Sequence, residues 1–125
     1  MTFTKMLSIA ALTTLTACAG TTTPPATGTA TTITTEAAFR STLVGKTIGF
    51  AGNTFVINAD NTVSGPWDGT GITGTWSWED QYWCRDIAIG GTARNPDCQI
   101  WTVEGTSATV TRDRGNGSSF TYSIN

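Results

Sequence analysis

Few residues in this chain could do chemistry. Its 125 residues include no histidine, so the usual general base for a serine or cysteine nucleophile is missing. Glu79, Asp80, Asp86 and Asp97 are the carboxylates to weigh as an acid/base pair. Glu79 and Asp80 fall in a turn-like segment, however, and Asp86 adjoins Arg85, where a structural ion pair is the simpler reading. No enzymatic role is expected. Cys18, Cys84 and Cys98 lack the tight spacing of a zinc site, and a metal would need carboxylates to complete its shell. Neither a metal nor a cofactor is expected. Gly69-Thr70-Gly71-Ile72-Thr73-Gly74 spells the dinucleotide-binding fingerprint, but that motif works at a helix N-terminus inside a βαβ unit. Here it leads into Thr75-Trp76-Ser77-Trp78, an alternating strand pattern, so its glycines are expected to ease a tight β-connection. The informative chemistry is aromatic. Trp67, Trp76, Trp78, Trp83 and Trp101 are many indoles for so short a chain, and indoles either fill a core or line a recognition surface. Trp76, Trp78, Trp83 and Trp101, with Arg85 as a polar anchor, are the candidate contacts for a ligand or protein partner. The alternatives are core packing for the indoles and, for Arg85, a structural role satisfied by Asp86, Asp97 or a carbonyl.

The formal charge is −2, and Lys46 is the only lysine after Lys5. Arg85, Arg94, Arg112 and Arg114 are scattered rather than run together. Nothing here neutralises a row of phosphates, which argues against nucleic acid as a partner.

At the N-terminus Lys5 precedes the apolar stretch Met6–Leu12 and then Leu15-Thr16-Ala17-Cys18. The stretch is too short to span a bilayer and reads as a signal peptide. Its last four residues resemble the bacterial lipobox, which implies cleavage before Cys18, lipidation of that thiol and acylation of the new N-terminus. The alternative is an ordinary secretory signal, since Ala17-Cys18-Ala19 also has the small-x-small form of a cleavage site. Ala19 in place of Asp resembles the pattern retained at the outer membrane, which implies a lipid-anchored envelope protein facing the periplasm. With Cys18 lipidated, Cys84 and Cys98 can form only one disulfide, in an oxidising compartment. The expected organisation is a signal peptide over 1–17, a lipidated, disordered Thr/Pro-rich tether over 18–35, and a disulfide-bonded β-domain over 36–125.

The elements that must position these residues follow from periodicity. Thr35 can cap a short helix, Glu36 suits its positive end, Phe39 and Leu43 share a face and Gly45 stops it. After Gly45 the pattern alternates with a period of two. Strands are predicted over Lys46–Phe50, Asn53–Ile57, Thr62–Trp67, Ile72–Glu79, Tyr82–Ile89, Cys98–Glu104, Ser107–Arg112 and Ser118–Ile124. Short turn-type connections at Asp60-Asn61, Glu79-Asp80-Gln81, Gly105-Thr106 and Gly115-Asn116-Gly117 make neighbours antiparallel. The expected fold is all-β, an eight-stranded antiparallel meander closed into a barrel or flattened barrel, with one short N-terminal helix. Parity puts Phe55 and Ile57, Trp76 and Trp78, Ile87 and Ile89, Trp101 and Val103, and Phe120, Tyr122 and Ile124 on inner faces. Arg85 falls on the inner face with Trp83 and Ile87, whereas Cys84 and Cys98 point outward.

Gly74-x-Trp76-x-Trp78, Tyr82-Trp83-Cys84-Arg85 and Asp97-Cys98-Gln99 resemble a family of small uncharacterised exported proteins of alphaproteobacteria over roughly residues 36–125. Some of its members carry a dihydrodipicolinate reductase label, but that enzyme needs a nicotinamide domain for which this chain has no room. Disulfide-stapled lipoprotein inhibitors of lysozyme and periplasmic metalloprotease inhibitors are similar in architecture, and Cys98-x-x-Trp101 loosely resembles the second group. Gly71-Ile72-Thr73-Gly74-Thr75-Trp76 is similar to the opening strand of streptavidin, although three strands precede it here. The functional expectation is a non-enzymatic envelope lipoprotein whose barrel binds a protein partner. Two alternatives stand beside it. An inhibitor of an envelope hydrolase would use the Gly90–Asp97 loop, and a small-ligand barrel would require an open cavity among the tryptophans with Arg85 in it.

Overall fold

The computed structural model describes residues 29–125. The expected signal peptide, Cys18 and the expected tether as far as residue 28 lie outside the described residues. Ten strands and one helix follow in the order β1 (Thr31–Thr32), α1 (Glu36–Leu43), β2 (Thr47–Phe50), β3 (Asn53–Ile57), β4 (Thr62–Gly65), β5 (Ile72–Glu79), β6 (Tyr82–Ile89), β7 (Thr92–Ala93), β8 (Asp97–Glu104), β9 (Ser107–Thr111) and β10 (Ser119–Ile124). Eight of them close a fully antiparallel barrel in the cyclic order β2-β3-β4-β5-β6-β8-β9-β10, with β10 pairing back onto β2. The alternating pattern thus becomes a closed wall rather than an open sheet.

Turns fall where the side chains tolerate a left-handed backbone. Asn61, Asp80 and Gly105 have φ of 65°, 55° and 57°. Gly65 serves a different need. A Cβ there would lie 2.6 Å from both the Cα of Phe55 and the carbonyl oxygen of Thr54, so β4 can bend across β3 only without a side chain. Gly74 likewise faces the backbone of Asp86 and Ile87 with no space for a Cβ. The fingerprint-like glycines are therefore barrel-corner and turn residues.

The seam that closes the barrel is short. β6 meets β8 only at Trp83 opposite Gln99, Cys84 opposite Cys98 and Arg85 opposite Asp97. The Cys84–Cys98 disulfide fastens the middle pair on the outer face, as parity requires. Beyond the seam the two strands splay. The free half of β6 takes β7 (Ala88 opposite Ala93), and the free half of β8 takes β1 (Thr31 opposite Val103, Thr32 opposite Thr102). The amide of Ile33 donates to the carbonyl of Trp101 at 2.9 Å, and Ile33 is 4% exposed. Residues 31–33 thus pack onto the barrel, within the stretch expected as tether. The splayed half of β8 would otherwise leave backbone groups unpaired, and Ile33 is the one large apolar residue between Ala19 and Thr35.

Helix α1 plugs one pole. Thr35 caps it, its hydroxyl accepting from the amide of Ala38 at 3.2 Å. Phe39 and Leu43, fully buried, point down the axis. The Phe39 ring centre lies 5.4–5.8 Å from the ring centres of Trp76, Trp78, Trp83 and Trp101. Arg40 straps the helix to the β3–β4 turn, donating to the Ala59 carbonyl at 3.1 Å and to Asn61 Oδ1 at 2.8 Å. Its guanidinium also lies 4.7 Å from the Trp76 ring centre, a cation–π contact worth about 0.5–1 kcal/mol where exposed. The Trp76 indole donates to the Asn58 carbonyl at 3.0 Å, which ties that ring to the same turn.

Candidate functional site: an aromatic cavity containing Arg85

The plug fills only one half of the barrel. Toward the opposite pole the inner faces of β2, β3, β5, β6 and β10 surround a cavity of about 240 Å³. Its apolar wall includes Phe50, Phe55, Trp67, Ile72, Ile87 and Ile89, and Phe120 and Tyr122 complete the aromatic side. Phe50 is 41% exposed and stands at the mouth. It stacks nearly parallel to Trp67, with ring centres 6.5 Å apart, and meets Phe120 and Tyr122 edge-on.

One side of this wall is polar. Arg85 and Arg112, Gln99 and the ring of Tyr122 all line the cavity, and Asp97 lies behind them. Its Oδ2 is 3.2 Å from Arg112 Nε and 3.8 Å from the nearest nitrogen of Arg85. The same oxygen accepts from the Gln99 amide at 2.8 Å, and Oδ1 accepts from the backbone amide of Asp113 at 3.0 Å. Burial alone would raise the Asp97 carboxyl, but the Asp113 amide, the Gln99 amide and the two arginines outweigh it. The carboxyl is held below its ordinary range.

Arg85 is less well provided for. Its side chain is only 11% exposed, and burial, opposed by the charge on Asp97, lowers its pKa. Among the described residues its one hydrogen bond goes to the Asn95 carbonyl at 3.3 Å. A guanidinium has five N–H donors, and those of Arg85 that are unused are not sealed into the core. The Tyr122 hydroxyl has no hydrogen-bond partner among the described residues either. Burial pushes its pKa up to about 12 even though Arg85 and Arg112 pull the other way. Trp83 adds a buried indole N–H with no acceptor, and its ring forms the floor between plug and cavity.

The residues expected from sequence thus separate into two groups. Trp83 and Arg85 line the cavity, and Arg85 also borders the groove outside the barrel beside the disulfide. Trp76, Trp78 and Trp101 belong to the plug, and Trp76 and Trp101 are 3% and 1% exposed, so they offer no surface to a protein. Arg85 pairs with Asp97 and a carbonyl, whereas Asp86 lies exposed on the outer face opposite Thr75. Phe50, Trp67, Gln99, Arg112 and Tyr122 were not singled out from sequence as site residues. Inward parity was available for Tyr122, and for Gln99 it followed from Trp101.

Outside the barrel, a groove beside the disulfide includes Glu79 and Asp86. Glu79 Oε2 approaches the Cys98 sulfur at 3.7 Å, and this carboxylate and the two sulfurs cluster closely. Both sulfurs are consumed by the disulfide and have no thiolate to offer, so the cluster does not make a metal site. The Gly90–Asp97 segment folds back as the β6–β7 hairpin, with the Arg94 amide donating to the Ile87 carbonyl at 2.8 Å.

Comparisons of the chain with protein-family models, curated proteins and solved structures return no match.

Proposed function

We propose that this barrel binds a small, largely apolar molecule, preferably a flat one, in the cavity opposite the helix plug. The observation that carries the reading is the half-filled interior. A closed barrel of this size can pack its own core completely, yet here a space of about 240 Å³ is left, walled by aromatic and aliphatic side chains and flanked by a few polar groups. That combination is the usual composition of a ligand site. Its size sets the scale of the ligand. A cavity of about 150 Å³ takes up a benzene ring, so this one suits a molecule of roughly ten non-hydrogen atoms. Cys18, read as the lipid-anchored residue, would hold such a binding domain at the cell envelope.

Methyl-resolved NMR of the protein titrated with naphthalene tests the reading. The methyl signals of Ile72, Ile87 and Ile89 should shift together and saturate, and those of Ile48 and Ile57 at the plugged pole should move little. The absence of saturable shifts at the first three would refute it.

A further inference from the structure

We propose that the ligand carries one anionic group, of carboxylate type, which docks on Arg85 inside the cavity while its apolar body lies among Phe55, Trp67 and Ile87. This rests on the cavity reading and names the ligand class.

Charge bookkeeping at the polar wall comes first. Two guanidiniums face one carboxylate, and the contacts are unequal. Arg112 Nε sits 3.2 Å from Asp97 Oδ2, whereas Arg85 approaches no closer than 3.8 Å. Asp97 spends its acceptors on Arg112, on Gln99 and on the Asp113 amide. That leaves one positive charge in excess, and geometry assigns it to Arg85, the deeper of the two. The Arg112 side chain is 43% exposed and the Arg85 side chain 11%, so water screens the first far more than the second.

Hydrogen-bond accounting leads to the same residue. A guanidinium so enclosed is ordinarily matched by acceptors on most of its donors, but among the described residues Arg85 makes one hydrogen bond, to the Asn95 carbonyl, and meets Asp97 only at 3.8 Å. A carboxylate oxygen pair fits the planar fork bidentately. Tyr122, whose hydroxyl also lacks a partner, is close enough to feel the charge of Arg85 and can donate a further bond. A single net charge suits a monoanion better than a phosphate dianion, and about 240 Å³ leaves room for an aryl or short alkyl body beyond the carboxylate.

The test compares 3-phenylpropanoate with its isosteric neutral amide, 3-phenylpropanamide, by calorimetry at pH 7 in low salt, with naphthalene run alongside. The acid should bind at least about tenfold more tightly than the amide, the advantage expected of a partly buried charge-assisted pair. Arg85→Gln should bring the two affinities to within about threefold while naphthalene binding persists. Naphthalene binding in the variant also reports that the barrel is intact. If naphthalene binds the wild-type protein but the acid binds no better than the amide, the anionic inference is overturned and the cavity reading survives. If none of the three binds, the cavity reading falls and takes this inference with it. The wild-type comparison needs no variant to fold.

Discussion

Replacing both Cys84 and Cys98 by alanine tests what holds the barrel shut. The disulfide joins residues 14 apart in sequence, so it closes a loop of 15 residues counting both ends. In the chain-entropy description, removing a cross-link over that length returns about 3 kcal/mol of conformational freedom to the unfolded chain. The native side adds little to offset this. The seam holds three residue pairs, and the bridge sits on the middle one. For a domain of this size about 3 kcal/mol corresponds to a fall in Tm of roughly 12 to 24 °C. Urea unfolding of the oxidised protein and the double variant, followed by tryptophan fluorescence, measures the loss directly. The slope against urea should also rise, because an unbridged chain exposes more surface when unfolded. A loss below about 1 kcal/mol with an unchanged slope would refute the reasoning. It would mean that the unfolded chain already keeps Cys84 and Cys98 together, or that the seam holds by pairing alone.

Phe39→Ala should destabilise the domain by roughly 3–5 kcal/mol in chemical denaturation, because it removes a fully buried ring from the centre of the indole cluster and leaves a cavity that the barrel wall cannot collapse to fill. Asp97→Asn should cost about 1–3 kcal/mol at neutral pH, since a carboxylate takes charge-assisted bonds from Asp113, Gln99 and Arg112 that an amide replaces poorly. The folded-state pKa of Asp97 lies below its ordinary 3.8, so its contribution is complete above that pH and is lost as pH falls through the folded value. Acid-unfolding curves should therefore be flatter below pH 3.8 for the variant than for the wild type. Tyr122 behaves in the opposite sense. With its folded pKa raised from 10.0 to about 12, its contribution is complete below pH 10 and disappears as pH climbs toward 12. Difference absorbance at the tyrosinate band, wild type against Tyr122→Phe, should place its ionisation near the upper end of that range.

Much of the fold was legible because strand parity is a short-range property. Phe55 and Ile57, or Ile87 and Ile89, declare their inner face within one strand, and the outward cysteines of β6 and β8 follow from the same alternation. The helix was legible from Thr35, Glu36, Phe39 and Leu43. Parity does not tell how far along the barrel axis an inward residue sits. Trp76, Trp101 and Trp67 look alike in sequence, yet the first two meet the plug and the third lines the cavity, because depth depends on the stagger of strands brought together by distant turns. The polar wall was hidden for a related reason. Reading β8 from Cys98 left Asp97 in a loop, and one residue more would have put it inward with Gln99 and Trp101. Arg112 follows the last residue of β9 and continues that strand's inward parity, but a charged residue at a strand end ordinarily reads as solvent-facing. The pairing of β1 with β8 was invisible in a threonine-rich stretch whose one clue was Ile33.

The pole at which the chain joins the barrel sets its orientation. β1 runs alongside the end of β8, so Thr29 arrives beside the Gly105 turn, at the pole that α1 plugs. The residues before Thr29 therefore join the domain at its closed end, at the opposite pole from the mouth at Phe50. Drag on the tether would be borne first by the two residue pairs joining β1 to β8 and the Ile33 bond behind them. The mouth, at the far end of the strands from that load, would keep its shape.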